Sequence, residues 1–126
     1  NEYFEDIKRI FKSANWSAYL KDDEKLKRAF ENSLYLLGAF ENDKLIAFIR
    51  CVGDGEHILL IQDLIVDADY YRQGIGTKLF KYVSDKYKDI RTFCLFTDIH
   101  DVRDNEFYKS VEMVKIEEKD TISYIR

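Results

Sequence analysis

Two glycines, Gly74 and Gly76, lie in the segment VDADYYRQGIGTKLF (residues 66–80), between an apolar run and residues that favour a helix. The first backbone N–H groups of a helix have no intrahelical partner, and they carry about half a positive charge. Glycine lets a bound group approach this backbone closely and permits a positive φ. The pattern therefore indicates an anion site, with phosphate as its usual occupant. A plain strand-to-helix turn is the alternative.

The spacing of these glycines excludes two common phosphate motifs. A dinucleotide-binding fingerprint needs a third glycine at position 79, which is Leu79. A P-loop ends in Gly-Lys-Ser or Gly-Lys-Thr, and this segment contains neither. A phosphate held here would belong to a different class of site.

A carboxylate interrupts the apolar run HILLIQDLIV (residues 57–66), where Gln62 and Asp63 stand side by side. Burying such groups costs free energy unless they are hydrogen-bonded or used in chemistry. Asp63 is therefore a candidate general base. A structural hydrogen bond, or a strand bulge at Gln62–Asp63, is the alternative. His57 and His100 are interpreted as surface histidines.

Hydrophobic periodicity predicts the elements that position these groups. Helices are expected over residues 2–13, after Asp22 or Asp23, for about three turns from Ile75, and around Asp104–Ser110. Strands are expected at SLYLLGAF, KLIAFIRCV, HILLIQDLIV and RTFCLFTDI, with VEMVKIEE and TISYIR as a final strand pair. The order α-α-β-β-β-α-β-α-β-β predicts a mixed α/β (α+β) domain with one strand–helix–strand crossover.

Composition narrows the class of protein. The 126 residues, 46% of them hydrophobic, suit a single domain over residues 1–126. The net charge of −4, with scattered basic residues, favours a cationic or neutral small substrate over nucleic acid. Since no apolar run approaches the roughly 18 residues of a membrane span and no signal peptide is visible, a cytoplasmic location without a membrane partner is expected. Cys51 and Cys94 lack metal-like spacing, which predicts reduced, buried thiols and no metal.

The segment LIVDADYYRQGIG (residues 64–76) resembles the acetyl-CoA pyrophosphate turn, Arg/Gln-x-x-Gly-x-Gly/Ala after a strand that ends in Val-Asp-x-x-Tyr. From about Asn32 to Ser123 the order of elements is similar to that of the GNAT family of N-acetyltransferases. NSLYLLGAF, IQDLIVDADYYRQGIG and DIRTFCLFTDIHDVRDNEFYKSVEM are similar to the group that includes the plant-type arylalkylamine (serotonin) acetyltransferases. The resemblance implies a GNAT fold that lacks its first strand here, so a preceding N-terminal segment is expected.

The resemblance implies acetyl-CoA as cosubstrate and the residues that would bind it. The backbone of Leu64, Ile65 and Val66 would meet the pantetheine arm, as a strand edge meets a peptide. The pyrophosphate would be wrapped by the N–H groups of Arg72, Gln73, Gly74, Ile75, Gly76 and Thr77. Two departures from the family pattern stand out. Tyr71 replaces the Arg or Gln that opens the motif, and Glu112–Met113 replaces a Gly-Phe pair, so that later turn must form without glycine.

The resemblance also implies which residues take part in acetyl transfer. Tyr108, in NEFYKS, matches the tyrosine that protonates the leaving thiolate, with aromatic packing as the alternative role. Asp63 matches an acidic position before the pantetheine contacts, and the N–H of Leu64 is the candidate oxyanion donor. Trp16 and Tyr19 lie where relatives build the wall of the acceptor pocket; core packing is the alternative for them.

These observations predict an acetyl-CoA-dependent N-acetyltransferase for a small primary amine, with an arylalkylamine as one candidate substrate. Acetylation of a protein N-terminus or lysine is the alternative within the same chemistry. A non-catalytic acyl-CoA-binding regulatory domain is the alternative from another class. The amine itself is not determined, and a homodimer is left open.

Overall fold

The computed structural model describes residues 2–126, which divide after Phe96 into two compact units. The first unit contains three α-helices, α1 (Phe4–Ser13), α2 (Asp23–Glu31) and α3 (Ile75–Lys86). Its strands are β1 (Tyr35–Glu41), β2 (Lys44–Gly53), β3 (Ile58–Val66) and β4 (Thr92–Leu95). Short 3₁₀ turns cover Ala18–Lys21 and Ala68–Tyr70. A single domain over residues 1–126 stays a prediction.

The four strands form one mixed sheet in the order β1-β2-β3-β4. The first three strands are antiparallel neighbours, whereas β3 and β4 are parallel and are joined through α3. The predicted mixed α/β class and its strand–helix–strand crossover are therefore confirmed. No strand precedes α1 in the part of the chain described here.

A β-bulge interrupts the pairing of β2 with β3. Arg50 lies opposite Asp63, but the next residue, Cys51, lies opposite Ile61. Gln62 is therefore the extra residue on β3, and a bulge of this kind bends its strand and strengthens the local twist. The bulge that the sequence left as an alternative at Gln62–Asp63 is present.

Beyond the bulge, β3 separates from β4. The parallel ladder pairs Ile58–Ile61 with Thr92–Leu95 and then stops, while β3 continues to Val66. On this side, no strand of the described residues pairs with residues 62–66, so their backbone forms an open strand edge. Such an edge can accept hydrogen bonds from another extended chain.

The core between α1, α2 and the sheet is aromatic. The apolar positions of α1 recur with helical spacing and are buried, and Phe11 is fully buried among them. Its ring centroid lies 5.3 Å from that of Tyr19, 6.5 Å from that of Phe30 and 5.4 Å from that of Phe48. Since neighbouring residues of a strand point to opposite faces, Ile49 on β2 faces away from Phe48. The buried residues of α3 lie outside the α1–α2 cluster, which indicates that α3 covers that opposite face.

The second unit contains α4 (Val102–Ser110) and a 3₁₀ turn (Ile116–Lys119). The predicted short helix around Asp104–Ser110 is present and starts two residues earlier than expected. The predicted final strand pair, VEMVKIEE and TISYIR, is wrong, because no residue from 111 to 126 is in a strand. An isolated pair of strands has too little apolar surface to bury to be stable alone. Here the Glu118 N–H donates to the Lys115 carbonyl at 2.9 Å, which closes the 3₁₀ turn, and the Glu118 carboxylate accepts the Lys115 N–H.

Candidate active site

The turn between β3 and α3 is left-handed at two positions. Arg72 has φ 66°, and Gly74, which precedes α3 directly, has φ 76°. This region costs a non-glycine residue about 1–2 kcal/mol, so Arg72 carries backbone strain of the kind found at functional sites. At Gly74 the backbone angle favours glycine. In the described residues, no atom beyond its two chain neighbours lies within 4 Å of a Cβ built there.

Among residues 2–126, no side chain caps the N-terminus of α3, and the first turn of α3 holds no acidic residue. The N–H of Lys78 donates to the Gly74 carbonyl at 3.1 Å, which is the first bond of the helix. The N–H groups of Ile75, Gly76 and Thr77 therefore have no partner within the helix. By contrast, α2 and α4 both begin with a capping aspartate. Three free donors at the positive end of a helix dipole favour phosphate.

Asp67 fixes the start of this turn, a role that the sequence did not reveal. It is 3% exposed, although it is a carboxylate directly after β3. One oxygen accepts the N–H of Asp69 at 3.0 Å, and the other pairs with the Arg9 guanidinium on α1. Arg9 also donates to the Leu45 carbonyl at 2.7 Å. The strand end is thus bound to α1 and β2 before the chain turns toward α3.

The residues predicted to bind acetyl-CoA form one continuous strand–turn–helix segment. The N–H of Asp67 donates to the Ile46 carbonyl on β2, so Leu64 and Val66 turn their backbone groups to the open edge of β3 and Ile65 turns its own toward β2. The turn then presents Arg72, Gln73 and Gly74 to solvent, and Ile75, Gly76 and Thr77 follow in the first turn of α3. The segment offers a strand edge for amide groups and helix N–H groups for phosphates. Their role in binding stays a prediction.

Asp63 lies in a buried ion pair. Its Oδ2 accepts the Nε–H of Arg50 at 2.7 Å, and the two residues are 2% and 6% exposed. Arg50 also donates to the Ala29 carbonyl and to Ser33 Oγ, each at 3.3 Å. Burial raises the pKa of Asp63, and the hydrogen bond and charge of Arg50 oppose that rise. Asp63 Oδ1 has no hydrogen-bond partner among the described residues.

This environment bears on the predicted role of Asp63. The structural hydrogen bond given as its alternative is present, whereas its role as a general base stays a prediction. Arg50 was missed in the sequence. The signal was a single charged residue inside the apolar strand AFIRCV, which predicts a buried ion pair as readily as a solvent-facing side chain.

The proposed acceptor residues lie beside the bulge. The ring of Trp16 is 39% exposed, and its centroid is 6.2 Å from that of Tyr19. Tyr19 packs edge-on against Phe11, and its hydroxyl accepts a hydrogen bond from Gln62 Nε2 at 2.9 Å. The Gln62 side chain therefore links β3, at the start of its open edge, to the connection between α1 and α2 through a hydrogen bond. The sequence had marked Gln62 only as a polar interruption of a strand.

Tyr108 lies on α4 in the second unit and is half-buried. Its ring centroid is 5.1 Å from that of Phe107, and its carbonyl accepts the Met113 N–H at 2.9 Å. The turn after α4 forms without glycine, as the sequence requires. Glu112 supplies the left-handed conformation with φ 69°. The position of Tyr108 in catalysis stays a prediction.

The possible metal ligands and the two cysteines were also located within residues 2–126. No group of three or more His, Cys, Asp or Glu side chains there is placed to hold a metal ion. Burial raises the pKa of the Cys51 thiol to about 12, and Cys94 is half-buried, so neither thiol is activated as a nucleophile. Within the same residues, no helix is long and apolar enough to cross a membrane.

Comparison with known proteins places this chain in a family. The sequence pattern of the Acetyltransferase (GNAT) family matches residues 1–112, and the chain therefore belongs to that family. An uncharacterized N-acetyltransferase, ycf52, from Gracilaria tenuistipitata var. liui is 30% identical over 115 residues. The match covers 86% of this chain and 60% of the relative, so this chain spans about three fifths of its length.

Solved structures share the fold. The GNAT family protein SP0256 from Streptococcus pneumoniae TIGR4 superposes with a TM-score of 0.83 at 30% identity, covering 98% of this chain and 89% of that chain. A probable acetyltransferase of unknown function, SA2161 from meticillin-resistant Staphylococcus aureus, has a TM-score of 0.80 at 22% identity, with 98% and 92% covered. The PaiA N-acetyltransferase from Thermoplasma acidophilum, solved with coenzyme A, has a TM-score of 0.66 at 20% identity, with 87% and 82% covered. The last two show the fold alone.

Proposed function

We propose that this chain is an acetyl-CoA-dependent N-acetyltransferase that acts on small primary amines. The observation that carries the proposal is the continuous segment from the open edge of β3, through the left-handed turn, to the uncapped N-terminus of α3. The family uses acetyl-CoA, and one structural neighbour was solved with coenzyme A bound. Family membership and this segment therefore support the same cosubstrate.

The chemistry of the segment fits coenzyme A part by part. The N–H groups of Ile75, Gly76 and Thr77, with the positive end of the α3 dipole, suit a pyrophosphate. The open backbone groups of Leu64 and Val66, on either side of Ile65, suit the two amides of pantetheine, because an extended amide chain pairs with a strand edge. Bound acetyl-CoA would supply an acetyl thioester, which is the acyl donor of the reaction.

In this proposal the chain provides a base, an oxyanion donor and an acid. Asp63, or a water molecule, accepts a proton from the ammonium form of the substrate, so that a neutral amine attacks the carbonyl. The Leu64 N–H stabilises the oxyanion, and Tyr108 gives its phenolic proton to the leaving thiolate. A phenol of pKa about 10 protonates a thiolate whose thiol has a pKa of about 8.5 only when it is well oriented.

The acceptor side favours a small amine with an apolar or aromatic body. Trp16 and Tyr19 form a partly exposed aromatic wall next to the bulged residue Gln62. A net charge of −4 favours a cationic substrate over an anionic one. The sequence similarity to the arylalkylamine acetyltransferase group also supports an amine with an aromatic body. Acetylation of a protein N-terminus or lysine would need an open groove in place of this wall.

Acetyl-CoA is expected to raise the melting temperature of the wild-type protein, since a ligand at 100 times its Kd stabilises a native state by about 2.7 kcal/mol. Gly76→Val should abolish the shift, because a branched side chain on the first turn of α3 blocks close approach of the phosphates. Lys81→Val, at an exposed position later on α3, places the same branched side chain away from the turn and should keep the shift. Differential scanning fluorimetry measures all three. A full shift in Gly76→Val would place the phosphates elsewhere.

Small amines are expected to be acetylated over a broad range, since each methylene in an apolar pocket changes selectivity by only about 1–3 kcal/mol. The assay measures CoA thiol release with tryptamine, phenethylamine, polyamines and peptides with a free N-terminus. Trp16→Ala should lower kcat/KM for the aromatic amines about 10-fold, whereas Trp16→Phe should retain most of it. A preference for peptides that Trp16→Ala leaves untouched would favour protein acetylation. If the protein binds acetyl-CoA tightly but acetylates none of these amines or peptides, the result would favour the non-catalytic regulatory alternative.

A further inference from the structure

We infer that the buried Arg50–Asp63 ion pair sets the position of the β3 bulge, and thereby the alignment of the open strand edge. In this assignment Asp63 is a positioning residue, and the proton acceptor for the amine is water. The inference rests on the proposed function, since it concerns the edge that would hold pantetheine. It concerns side chains that lie within the first unit alone.

The contacts of the pair face the protein interior. Asp63 is 2% exposed, and its Oδ2 is occupied by Arg50 Nε–H. Arg50 is bound in turn by the Ala29 carbonyl and Ser33 Oγ at the end of α2, and its guanidinium lies 5.0 Å from the Phe30 ring centroid. A general base has to come within hydrogen-bond reach of the proton it removes. The Asp63 carboxylate is buried and bound to Arg50, which fits a positioning role.

The pair lies where two changes in the sheet coincide. The Arg50–Asp63 position is the last regular one before the register shift, and Gln62 is the extra residue. The β3–β4 ladder ends at Ile61, one residue before Gln62. Side chains alternate between faces along a strand, so a slip of one residue here would exchange the faces of everything that follows. A charged pair that fits only one register prevents that slip.

Stability alone does not account for such a pair. Burying two charges costs about as much as their attraction returns, and well-packed apolar replacements are often neutral or stabilising. Retained buried pairs are best attested as devices that specify register. Here the register decides which backbone groups of residues 62–66 lie on the open edge, and it places Gln62 against Tyr19.

The test replaces both charges together, as Arg50→Met with Asp63→Leu, so that neither charge is left buried alone. Cys51→Ala is the matched control, since it removes core volume at the neighbouring position of β2 but leaves the pair intact. Two ligands are titrated by calorimetry: acetyl-CoA, and 3′-phosphoadenosine diphosphate, which has the phosphates but no pantetheine. Cross-strand amide contacts by NMR report the register of β2 against β3 without any ligand.

The double variant is expected to keep a melting temperature near that of wild type and to bind 3′-phosphoadenosine diphosphate equally well. Its affinity for acetyl-CoA should fall about 10-fold or more, because a shift of the edge misaligns the pantetheine contacts. The contacts between Cys51 and Ile61 should weaken or change partner. Cys51→Ala should have a lower melting temperature than wild type. It should keep the wild-type cross-strand amide contacts and the wild-type ratio of the affinities for acetyl-CoA and 3′-phosphoadenosine diphosphate.

Two results would overturn the inference. If the double variant keeps both the register and the acetyl-CoA affinity but loses turnover, Asp63 is the base. If it keeps register, affinity and turnover, the pair serves packing only. If the double variant does not fold, Arg50→Lys is tested in its place. Lysine keeps the positive charge but lacks the planar guanidinium with its several donors. The same criteria of register and affinity apply. A wild-type protein that binds no acetyl-CoA would defeat the proposed function, while the NMR contacts would still decide the role of the pair.

Discussion

Tyr108→Phe is expected to lower turnover about 10²-fold or more, the usual contribution of a positioned acid. The substitution keeps the ring and its edge-on packing with Phe107 but removes the proton that the leaving thiolate would take. Acetyl-CoA affinity should change little, so kcat should fall while the Kd from calorimetry stays constant. Steady-state CoA release across the pH range measures the effect.

The control is the same substitution at an exposed tyrosine of the second unit. Tyr124 is 91% exposed, so Tyr124→Phe should leave both turnover and acetyl-CoA affinity unchanged. Equal turnover in Tyr108→Phe and wild type at every pH would show that Tyr108 is a packing residue. The proton for the thiolate would then come from water or from another side chain.

Phe11→Ala is expected to lower the free energy of unfolding by about 3–5 kcal/mol, the range for a fully buried phenylalanine cut back to alanine. Its ring packs against Tyr19, Phe30 and Phe48, and these rings would line the resulting cavity. Urea denaturation followed by circular dichroism measures the change in midpoint and slope.

Two further variants check that the loss comes from this cavity. Phe11→Leu keeps most of the volume and should lose much less stability. Phe96→Ala, at a side chain that is 70% exposed, should stay within about 0.5 kcal/mol of wild type. A loss in Phe11→Ala no larger than that of Phe96→Ala would mean that the aromatic cluster does not hold α1 to the sheet. Since Tyr19 packs on Phe11, Phe11→Ala should also weaken selectivity among amines.

Local patterns were enough to predict the strand–turn–helix segment. Apolar residues form a continuous run before Gly74 and Gly76 and recur every four residues after them. This change from a strand pattern to a helix pattern is visible within a few neighbouring residues. The buried face of α1 followed from its spacing for the same reason. The mixed sheet and its crossover then follow from the order of elements, because a strand–helix–strand unit places its two strands in parallel.

Contacts between distant residues were not predictable in this way. Nothing local distinguishes an Arg50 that pairs with Asp63 across the sheet from one that reaches solvent, and the same holds for Arg9 with Asp67. The error at VEMVKIEE and TISYIR has a related cause. Alternating apolar residues predict a strand, but a strand also needs a partner edge, which the sequence does not supply. In the structure these residues leave side chains such as Tyr124 and Ile125 exposed.

The open space around Gly74 has a consequence for how this sequence can diverge. Among the described residues the demand for glycine comes from its backbone angle, since nothing beyond its chain neighbours there would touch an added Cβ. Asparagine and aspartate reach the left-handed region at low cost, whereas β-branched residues do not. Related sequences are therefore expected to exchange glycine for asparagine at this position and to lack valine or isoleucine there. A motif search that demands glycine at position 74 would overlook true members of the group.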